Sequence, residues 1–190
     1  MCLKVLCLQH PQEPDKALGS VPILKSVLGD RLSLKVGLSW PNLGRAVGGE
    51  AKPSEWLALF IGSRKKAEEA WKPDERGEVR RGLHWIKPKS KPSPDDLAAL
   101  KGIIVLDGTW SQGKTLWWRN AWLLKCKQAF LIPSAPSAYG KLRKEPGPEC
   151  VSTLECVAEA LTLLGEKPEL ETRLREEFAQ FLATKKKTPR

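Results

Sequence analysis

The sequence predicts a single α/β domain with a largely parallel sheet and flanking helices. The chain has 190 residues, a length typical of one domain. Short apolar runs alternate with segments of helical periodicity, which is the element order of a parallel α/β sheet. Residues 102–107, Gly-Ile-Ile-Val-Leu-Asp, are apolar without alternation, as expected for a strand covered on both faces. We assign residues 1–184 to the domain and 185–190 to a basic C-terminal tail.

Strands are predicted where short apolar runs end at a turn-forming or polar residue. The runs predict strands at residues 3–8, 32–38, 56–62, 102–107 and 128–132. Ligands of parallel sheets bind beyond the carboxyl ends of the strands. A ligand site is therefore expected in the loops after Leu8, Ile61, Leu106 and Ile132.

Helices are predicted by spacing and by start and stop residues. They are expected within residues 17–28, from residue 94 to about 101, and at 113–127, 152–164 and 168–183. The third has Leu116, Leu123 and Leu124 on its apolar side, and the last is amphipathic. Residues 74–94 and 134–150 lack periodicity and are predicted as loops, with 87–94 extended on the surface.

The charge of the chain indicates a polyanionic partner. Lys and Arg number 32 and Asp and Glu 22, so the formal net charge is +10, and the pI is about 9.5. These values fit nucleic acid or an anionic membrane surface. No apolar run approaches the roughly 18 residues of a membrane span, and the first ten residues turn polar too soon for a signal peptide.

The cysteines predict a reducing, cytoplasmic environment. There are five, scattered along the chain, which fits packed thiols better than a disulfide framework. Without a Cys-x-x-Cys pair and with two histidines, the sequence predicts no metal site.

Residues 108–115, Gly-Thr-Trp-Ser-Gln-Gly-Lys-Thr, match the phosphate-loop pattern after a strand and before a helix. In that interpretation Lys114 contacts the outer phosphate and Thr115 binds magnesium. Against it, no later hydrophobic strand ends in Asp to hold the metal, and Trp110 is bulky where the loop must wrap the phosphates. A phosphate-loop nucleotidase is one rival function, and a non-catalytic basic RNA-binding module is the other.

Several short motifs follow one another along the chain. They are residues 8–13 (Leu-Gln-His-Pro-Gln-Glu), 106–112 (Leu-Asp-Gly-Thr-Trp-Ser-Gln) and 150–155 (Cys-Val-Ser-Thr-Leu-Glu). Between the last two come Trp122-Leu123, residues 131–133 and residues 139–146. Together these elements, from His10 to about Leu164, resemble the DTW-domain family of tRNA-uridine aminocarboxypropyltransferases.

The chain departs from that family in three respects, one of which is that Lys114 and the pair Trp117-Trp118 are unusual for it. It lacks the N-terminal cysteine cluster that would hold zinc in many members. Tyr139-Gly140-Lys141 stands where the family usually has Tyr-Arg, and this resembles the related enzymes that modify ribosomal RNA. The chemistry is therefore better indicated than the RNA species.

The resemblance implies a SPOUT-like fold with a C-terminal knot and S-adenosylmethionine as cosubstrate. It implies transfer of the 3-amino-3-carboxypropyl chain to uridine N3 in RNA, with tRNA as the leading substrate and release of methylthioadenosine. The uridine that is modified and the oligomeric state stay open.

The resemblance, together with the rule that ligands bind beyond the ends of parallel strands, indicates a set of site residues. The catalytic candidates are Asp107, Thr109 and Trp110. The candidates for binding the cosubstrate are Ile61, Leu106, Asp107, Trp110, Leu131, Ile132, Pro133, Ser152 and Thr153. The candidates for RNA contact are His10, Glu13, Tyr139, Arg143 and Lys144.

Each candidate has a structural alternative. Asp107 is either the general base for the N3 proton or a ligand of the cosubstrate's ribose or ammonium, unless it caps the next helix. Ser152-x-x-Glu155 is also a capping box. His10 can bond the backbone near Pro11, Glu13 can start a helix, and Arg143 with Lys144 can be a solvated basic loop. Most of the tryptophans are expected in the core, with one or two facing RNA.

Overall fold

A mixed six-stranded sheet forms the centre of the fold. The structure is a computed structural model, and it describes residues 2–59, 76, 79–86, 92–142 and 150–187. The strands are β1 (Lys4–Gln9), β2 (Leu32–Val36), β3 (Trp56–Leu59), β4 (Gly82–Trp85), β5 (Gly102–Asp107) and β6 (Lys127–Ile132). Their order is β2-β1-β5-β3-β6-β4. All neighbouring strands are parallel except β4, which is antiparallel to β6.

Helices cover both faces of this sheet. The helices are α1 (Val21–Leu28), α2 (Leu43–Val47), α3 (Pro94–Ala98), α4 (Trp110–Arg119), α5 (Thr153–Leu163) and α6 (Pro168–Lys187). Helices α1, α5 and α6 pack on one face, while α2, α4 and the 3-10 turn Ala121–Lys125 pack on the other. Ile103 and Val105 of β5 face the first layer and Ile104 faces the second. The prediction of an α/β sheet covered on both faces is confirmed.

The predicted strands correspond to β1, β2, β3, β5 and β6. Their predicted ends differ from those in the structure by about three residues at most, where both are described. Strand β4 was missed, because it lies in the stretch predicted as a loop. β4 has four residues and lies at the edge of the sheet, next to β6. An edge strand buries few side chains, so its sequence need not be apolar. Its His84 stacks on Phe130 of β6 with ring centroids 5.2 Å apart. Residues 60–62 and 87–91 of the predicted elements lie outside the described residues.

The helix predicted at residues 113–127 has different bounds in the structure. Helix α4 begins at Trp110 and ends at Arg119, and a 3-10 turn follows. Leu116 and Leu123 are buried as predicted, whereas Leu124 is 57% exposed. The helix ends where Asn120 adopts a non-helical backbone, with φ −121° and ψ 65°.

The Asn120 side chain is buried and joins α4 to the loop after β2. Its Nδ2 donates to Leu116 O at 2.7 Å and to Leu38 O at 3.0 Å, and its Oδ1 accepts from Trp40 N at 2.8 Å. The amide thereby satisfies backbone groups on both sides of the helix end. The apolar pattern continues past the end of the helix because Trp122 and Leu123 of the 3-10 turn are buried against the same face of the sheet.

We expect Asn120→Ala to lower the free energy of unfolding by about 3 kcal/mol, because one buried and two partly buried backbone groups lose their partner. Lys125→Ala, at an exposed position in the next turn, is the matched control and should change it by less than about 0.5 kcal/mol. Urea denaturation measures both. A loss below about 1 kcal/mol for Asn120→Ala would show that water replaces the amide.

The last helix is longer than predicted. Helix α6 runs to Lys187 and packs Leu174, Phe178 and Leu182 against the sheet. Just before it, Glu166 accepts hydrogen bonds from Leu3 N at 2.6 Å and from Arg31 Nη2 at 2.7 Å. These bonds fix the α5–α6 connection to the start of β1. The C-terminal knot stays a prediction.

Candidate functional site

The candidate site lies where the neighbouring strands β1 and β5 end. The next strand after β1 is β2, which lies towards one edge of the sheet. The next strand after β5 is β6, which lies towards the opposite edge. Such a reversal opens a crevice at the carboxyl ends of the two strands, and ligands of parallel sheets bind there. The register pairs Gln9, the last residue of β1, with Asp107, the last residue of β5.

The Asp107 carboxylate is held from two directions and is partly exposed. Its Oδ2 accepts from Gln9 Nε2 at 2.8 Å, and its Oδ1 accepts from Thr153 Oγ1 at 2.5 Å. Gln9 is 5% exposed, and Thr153 is the first residue of α5. The carboxylate therefore joins β1, β5 and α5 in a fixed orientation, and each oxygen keeps a lone pair for a ligand.

Asp107 does not cap the helix that follows it, so that alternative is wrong. Thr109 is the N-cap: its Oγ1 accepts from Gln112 N at 3.4 Å, and Gln112 Oε1 accepts from Thr109 N at 2.6 Å. Trp110 is the first residue of α4 and is partly exposed. The capping box accounts for Thr109, and a catalytic role for Thr109 or Trp110 stays a prediction.

Gly108 lets the two loops of the site approach each other. A Cβ at this position would lie 2.9 Å from Gln112 Cβ, 3.1 Å from Gln112 Oε1 and 3.5 Å from His10 Cβ. Any larger residue must therefore displace the start of α4 or the loop after β1.

We expect Gly108→Ala to lower the free energy of unfolding by about 1–3 kcal/mol through this crowding. Gly49→Ala is the matched control, because a Cβ there meets nothing within 4 Å. Thermal unfolding of the two variants side by side tests the difference. Equal stability would mean that Gln112 moves aside at no cost.

The loop after β1 is fixed to the loop after β5. His10 N donates to Asp107 O at 2.9 Å, and Gln12 Oε1 accepts from Gln112 Nε2 at 3.0 Å. The His10 ring bonds the local backbone, since Nδ1 accepts from Gln12 N at 3.3 Å. Glu13 is 6% exposed and pairs with Lys16 at 2.5 Å, and it does not start a helix, because α1 begins at Val21.

The loop after β6 is fixed to α5 by two buried carboxylates. Glu155 accepts from Ala138 N at 2.7 Å and from Ser137 Oγ at 2.9 Å, and Glu159 accepts from Ser134 N at 2.8 Å. Of the three predicted cosubstrate residues here, Leu131 is partly exposed, while Ile132 and Pro133 are buried. The Pro133 and Ser134 carbonyls accept from Arg81 Nη1 at 3.0 and 2.6 Å, so of these three residues the Leu131 side chain is the part left open to a ligand.

The start of α5 is capped as the sequence predicted. Ser152 Oγ accepts from Glu155 N at 3.1 Å, and Glu155 Oε2 accepts from Ser152 N at 2.8 Å. Leu154 N donates to Ser20 Oγ at 3.4 Å. Within the described parts of the chain, Thr153 N has no hydrogen-bond partner. One backbone donor at the helix start is thus left for a ligand, next to the Asp107 carboxylate.

Tyr139 is not at a surface that RNA can reach, in disagreement with its predicted contact. It is 1% exposed, its ring meets Phe178 edge-on at 5.2 Å, and its hydroxyl donates to Leu18 O at 2.6 Å. Its side chain belongs to the core between the loop after β6 and the α1 and α6 layer. Ile61, Arg143 and Lys144 lie outside the described residues.

The phosphate-loop interpretation is wrong in this structure. The required loop is inside α4, where Gly113 N donates to Thr109 O at 2.8 Å and Thr115 Oγ1 donates to Ser111 O at 3.2 Å. Backbone amides that would have to cradle phosphates are therefore used within the helix.

Cys7 and Cys126 are buried and Cys156 is partly buried, as predicted for packed thiols, whereas Cys2 is exposed and the prediction is wrong for it. Burial raises the pKa of Cys126 to about 12. Burial, with Glu159 and Glu155 nearby, raises the pKa of Cys156 to about 12. The pKa of Cys7 is also raised well above its usual value, by burial first and then by the charge of Asp107. A thiol with so high a pKa is not a nucleophile at neutral pH.

The described residues contain neither a metal-binding cluster nor a membrane-spanning helix. Among them, no three His, Cys, Asp or Glu side chains converge on a point where a metal ion would fit. No helix in these parts of the chain has both the length and the apolar character of a membrane span.

The fold and the site together define an α/β protein whose sheet has a switch point between β1 and β5, with an Asp-Gly-Thr-Trp turn at the edge where ligands of such sheets bind. The chain belongs to the DTW domain family, whose sequence profile matches residues 1–186.

Curated relatives of this chain carry one name, tRNA-uridine aminocarboxypropyltransferase 2. The Macaca fascicularis protein is 31% identical over 163 residues, which are 83% of this chain and 46% of that protein. The Mus musculus protein is 30% identical over 159 residues, with the same shares. The Drosophila melanogaster protein is 36% identical over 72 residues. The chain spans about half the length of the first two, and no solved structure matches it.

Sequence reasoning missed Gln9 as part of this site. The side chain is the only donor from β1 to the Asp107 carboxylate in the described structure. The sequence did carry one sign of this role: Gln9 is a polar residue at the carboxyl end of an apolar strand.

Proposed function

We propose that this chain transfers the 3-amino-3-carboxypropyl group of S-adenosylmethionine to N3 of a uridine in RNA, with tRNA as the leading substrate. Membership of the DTW domain family and the printed names of the relatives support this proposal. The net charge of +10 supports an RNA substrate, whose affinity then comes largely from phosphate contacts.

The contact between Thr153 and Asp107 is the observation that carries the proposal. The amino-acid end of S-adenosylmethionine has an ammonium and a carboxylate on one carbon. The ammonium needs a negatively charged hydrogen-bond acceptor, and the carboxylate needs a backbone N–H donor beside it. Asp107 is the anion, and Thr153 N is the unused donor at the positive end of α5. The Thr153 and Asp107 side chains are 2.5 Å apart, so one ligand can bridge the two elements.

These residues fit the cosubstrate, and each has a distinct task. When bound, S-adenosylmethionine supplies a carbon activated by the neighbouring sulfonium. Uridine N3 would give its proton to solvent water and bond to that carbon as the carbon–sulfur bond breaks, which releases methylthioadenosine. We assign Asp107 to the ammonium, with Gln9 and Thr153 holding its carboxylate in place. The alternative is that Asp107 accepts the N3 proton.

Several of the other predicted residues remain part of the proposal, whereas the buried side chains of Tyr139, Ile132 and Pro133 do not. Leu106, Trp110 and Leu131 are partly exposed at the carboxyl edge and would line the crevice. Ser152 supports the start of α5, and Ile61, Arg143 and Lys144 keep the roles implied by the resemblance. The cytoplasmic localisation stays a prediction.

Mass spectrometry of nucleosides tests the function. A tRNA pool incubated with the protein and S-adenosylmethionine should yield a uridine heavier by one aminocarboxypropyl group, and ribosomal RNA serves as the second substrate. Heavier uridine from ribosomal RNA alone would correct the substrate, and its absence from both pools would contradict the proposed reaction.

Equilibrium binding separates the proposal from the nucleotidase. We expect S-adenosylmethionine and methylthioadenosine to bind, and ATP to bind at least ten times more weakly, since no phosphate cradle is formed. Tight ATP binding abolished by Lys114→Ala would reverse this conclusion.

A further inference from the structure

Helix α4 has a stripe of aromatic and basic side chains on its outer face. Trp110, Lys114 and Trp118 are spaced by four residues, so they lie on one side of the helix. Gly113, Leu116 and Trp117 are buried on the opposite side. Lys114 Nζ lies 5.9 Å from the centre of the Trp110 ring, within range of a cation–π contact. We call Trp110, Lys114 and Trp118 the α4 stripe.

Trp118 is the most exposed large apolar side chain in the described part of the chain. It is 78% exposed, whereas its neighbour Trp117 is 8% exposed and Trp122 is 7% exposed. The helix needs Trp117 for its packing, but no packing requirement explains a tryptophan at position 118. A large aromatic ring open to solvent, on a helix that begins at the candidate site, is typical of a binding surface.

The charge around the stripe favours a polyanion as its partner. From Gly108 to Lys144 the sequence has seven Lys or Arg residues and no Asp or Glu. Among the described residues of this segment, Lys114, Arg119 and Lys125 are exposed, while Lys127 pairs with Asp96. Aromatic rings that alternate with cations match single-stranded nucleic acid, whose bases stack and whose phosphates pair with cations.

The stripe begins at the candidate site. Trp110 is three residues after Asp107, and Trp118 is eight residues further, or about 12 Å along the helix axis. A uridine that presents N3 to the crevice is unpaired, so its neighbours in the strand are also accessible for stacking. A strand that leaves the crevice along α4 therefore meets the stripe.

We propose that the α4 stripe binds the unpaired RNA strand that flanks the target uridine, with Trp118 as the outer stacking platform and Lys114 as a phosphate contact. This inference rests on the proposed function for the position of the uridine. It adds the residues that hold the flanking strand, which neither the motifs nor the comparisons identify.

Binding of a fluorescein-labelled, unstructured oligouridine tests the stripe without S-adenosylmethionine. We expect Trp118→Ala to weaken binding by about 5- to 150-fold, the range for loss of one base–aromatic stack. Trp118→Phe should retain most of the affinity. Lys114→Ala should lower the log–log salt slope by about 0.7. Leu124→Ala is the matched control, because Leu124 is also exposed and apolar, and it should bind as the unaltered protein does.

The outcomes keep this inference separate from the proposed function. Loss of oligouridine binding in Trp118→Ala supports the stripe, even if no modified nucleoside forms on any RNA. Formation of modified uridine together with unchanged binding by Trp118→Ala overturns the stripe and leaves the function. Sedimentation showing that Trp118→Ala dissociates a dimer would also overturn it, since the ring would then belong to a self-association surface.

Discussion

Asp107→Asn is expected to lower turnover at least about 100-fold while the protein stays folded. The amide has the shape of the carboxylate, and its oxygen can still accept from Gln9 while its NH2 group donates to the Thr153 hydroxyl, which can turn to accept. It has no charge to balance an ammonium. Because a hydrogen bond to a charged group contributes roughly 1.5–3 kcal/mol, affinity for S-adenosylmethionine should fall about 10- to 150-fold as well.

Calorimetric titration with two ligands identifies the role of Asp107. Methylthioadenosine lacks the amino-acid end, so Asp107→Asn should bind it as tightly as the unaltered protein does and lose affinity for S-adenosylmethionine alone. Asp30→Asn, at an exposed position after α1, is the control and should change neither affinity. Lost turnover with unchanged affinity for both ligands would instead identify Asp107 as the general base. Near-normal turnover would remove Asp107 from the chemistry.

Glu155→Ala is expected to destabilise the protein by about 3–5 kcal/mol. Glu155 is 2% exposed, and its carboxylate accepts hydrogen bonds from Ser152 N, Ser137 Oγ and Ala138 N. Without it, three donors lose their acceptor inside the protein, and hydrogen bonds to a charged group are among the strongest. The loop after β6 also loses its attachment to α5, so affinity for S-adenosylmethionine should fall with stability.

Urea denaturation with matched variants tests this prediction. Glu155→Gln keeps the size of the side chain, but its NH2 group faces a donor. We therefore expect its loss of unfolding free energy to be smaller than that of Glu155→Ala and larger than that of an exposed control. Glu176→Ala, at an exposed position of α6, should change stability by less than about 0.5 kcal/mol. A loss below about 1 kcal/mol for Glu155→Ala would show that the loop is held by other contacts.

Local chemistry made several elements predictable. The apolar run at residues 102–107 could be buried only as a central strand, and it is β5. Ser152-x-x-Glu155 predicted both the start of α5 and its capping box, because the two side chains satisfy amides within one turn. Thr109-x-x-Gln112 has the same capping pattern. It predicts a helix that starts at Trp110, which is where α4 begins, whereas the phosphate-loop pattern places a loop there.

The site itself depends on pairings that the sequence does not encode locally. Gln9 and Asp107 are 98 residues apart, and they meet because β1 and β5 pair in one register. Thr153 reaches Asp107 because α5 lies across the end of β5, which depends on the packing of the α1, α5 and α6 layer. Tyr139 lies in an aperiodic loop, so its place against Phe178 could not be predicted from spacing.

Label transfer from S-adenosylmethionine to RNA tests the central claim most directly. Two preparations of the cosubstrate are used, one labelled in the methyl carbon and one in the aminocarboxypropyl chain, each with tRNA and the protein. We expect RNA to gain label from the second preparation alone, with the methyl label recovered in methylthioadenosine, and Asp107→Asn to transfer almost none. Methyl label in the RNA would contradict the assignment, since the protein would then be a methyltransferase.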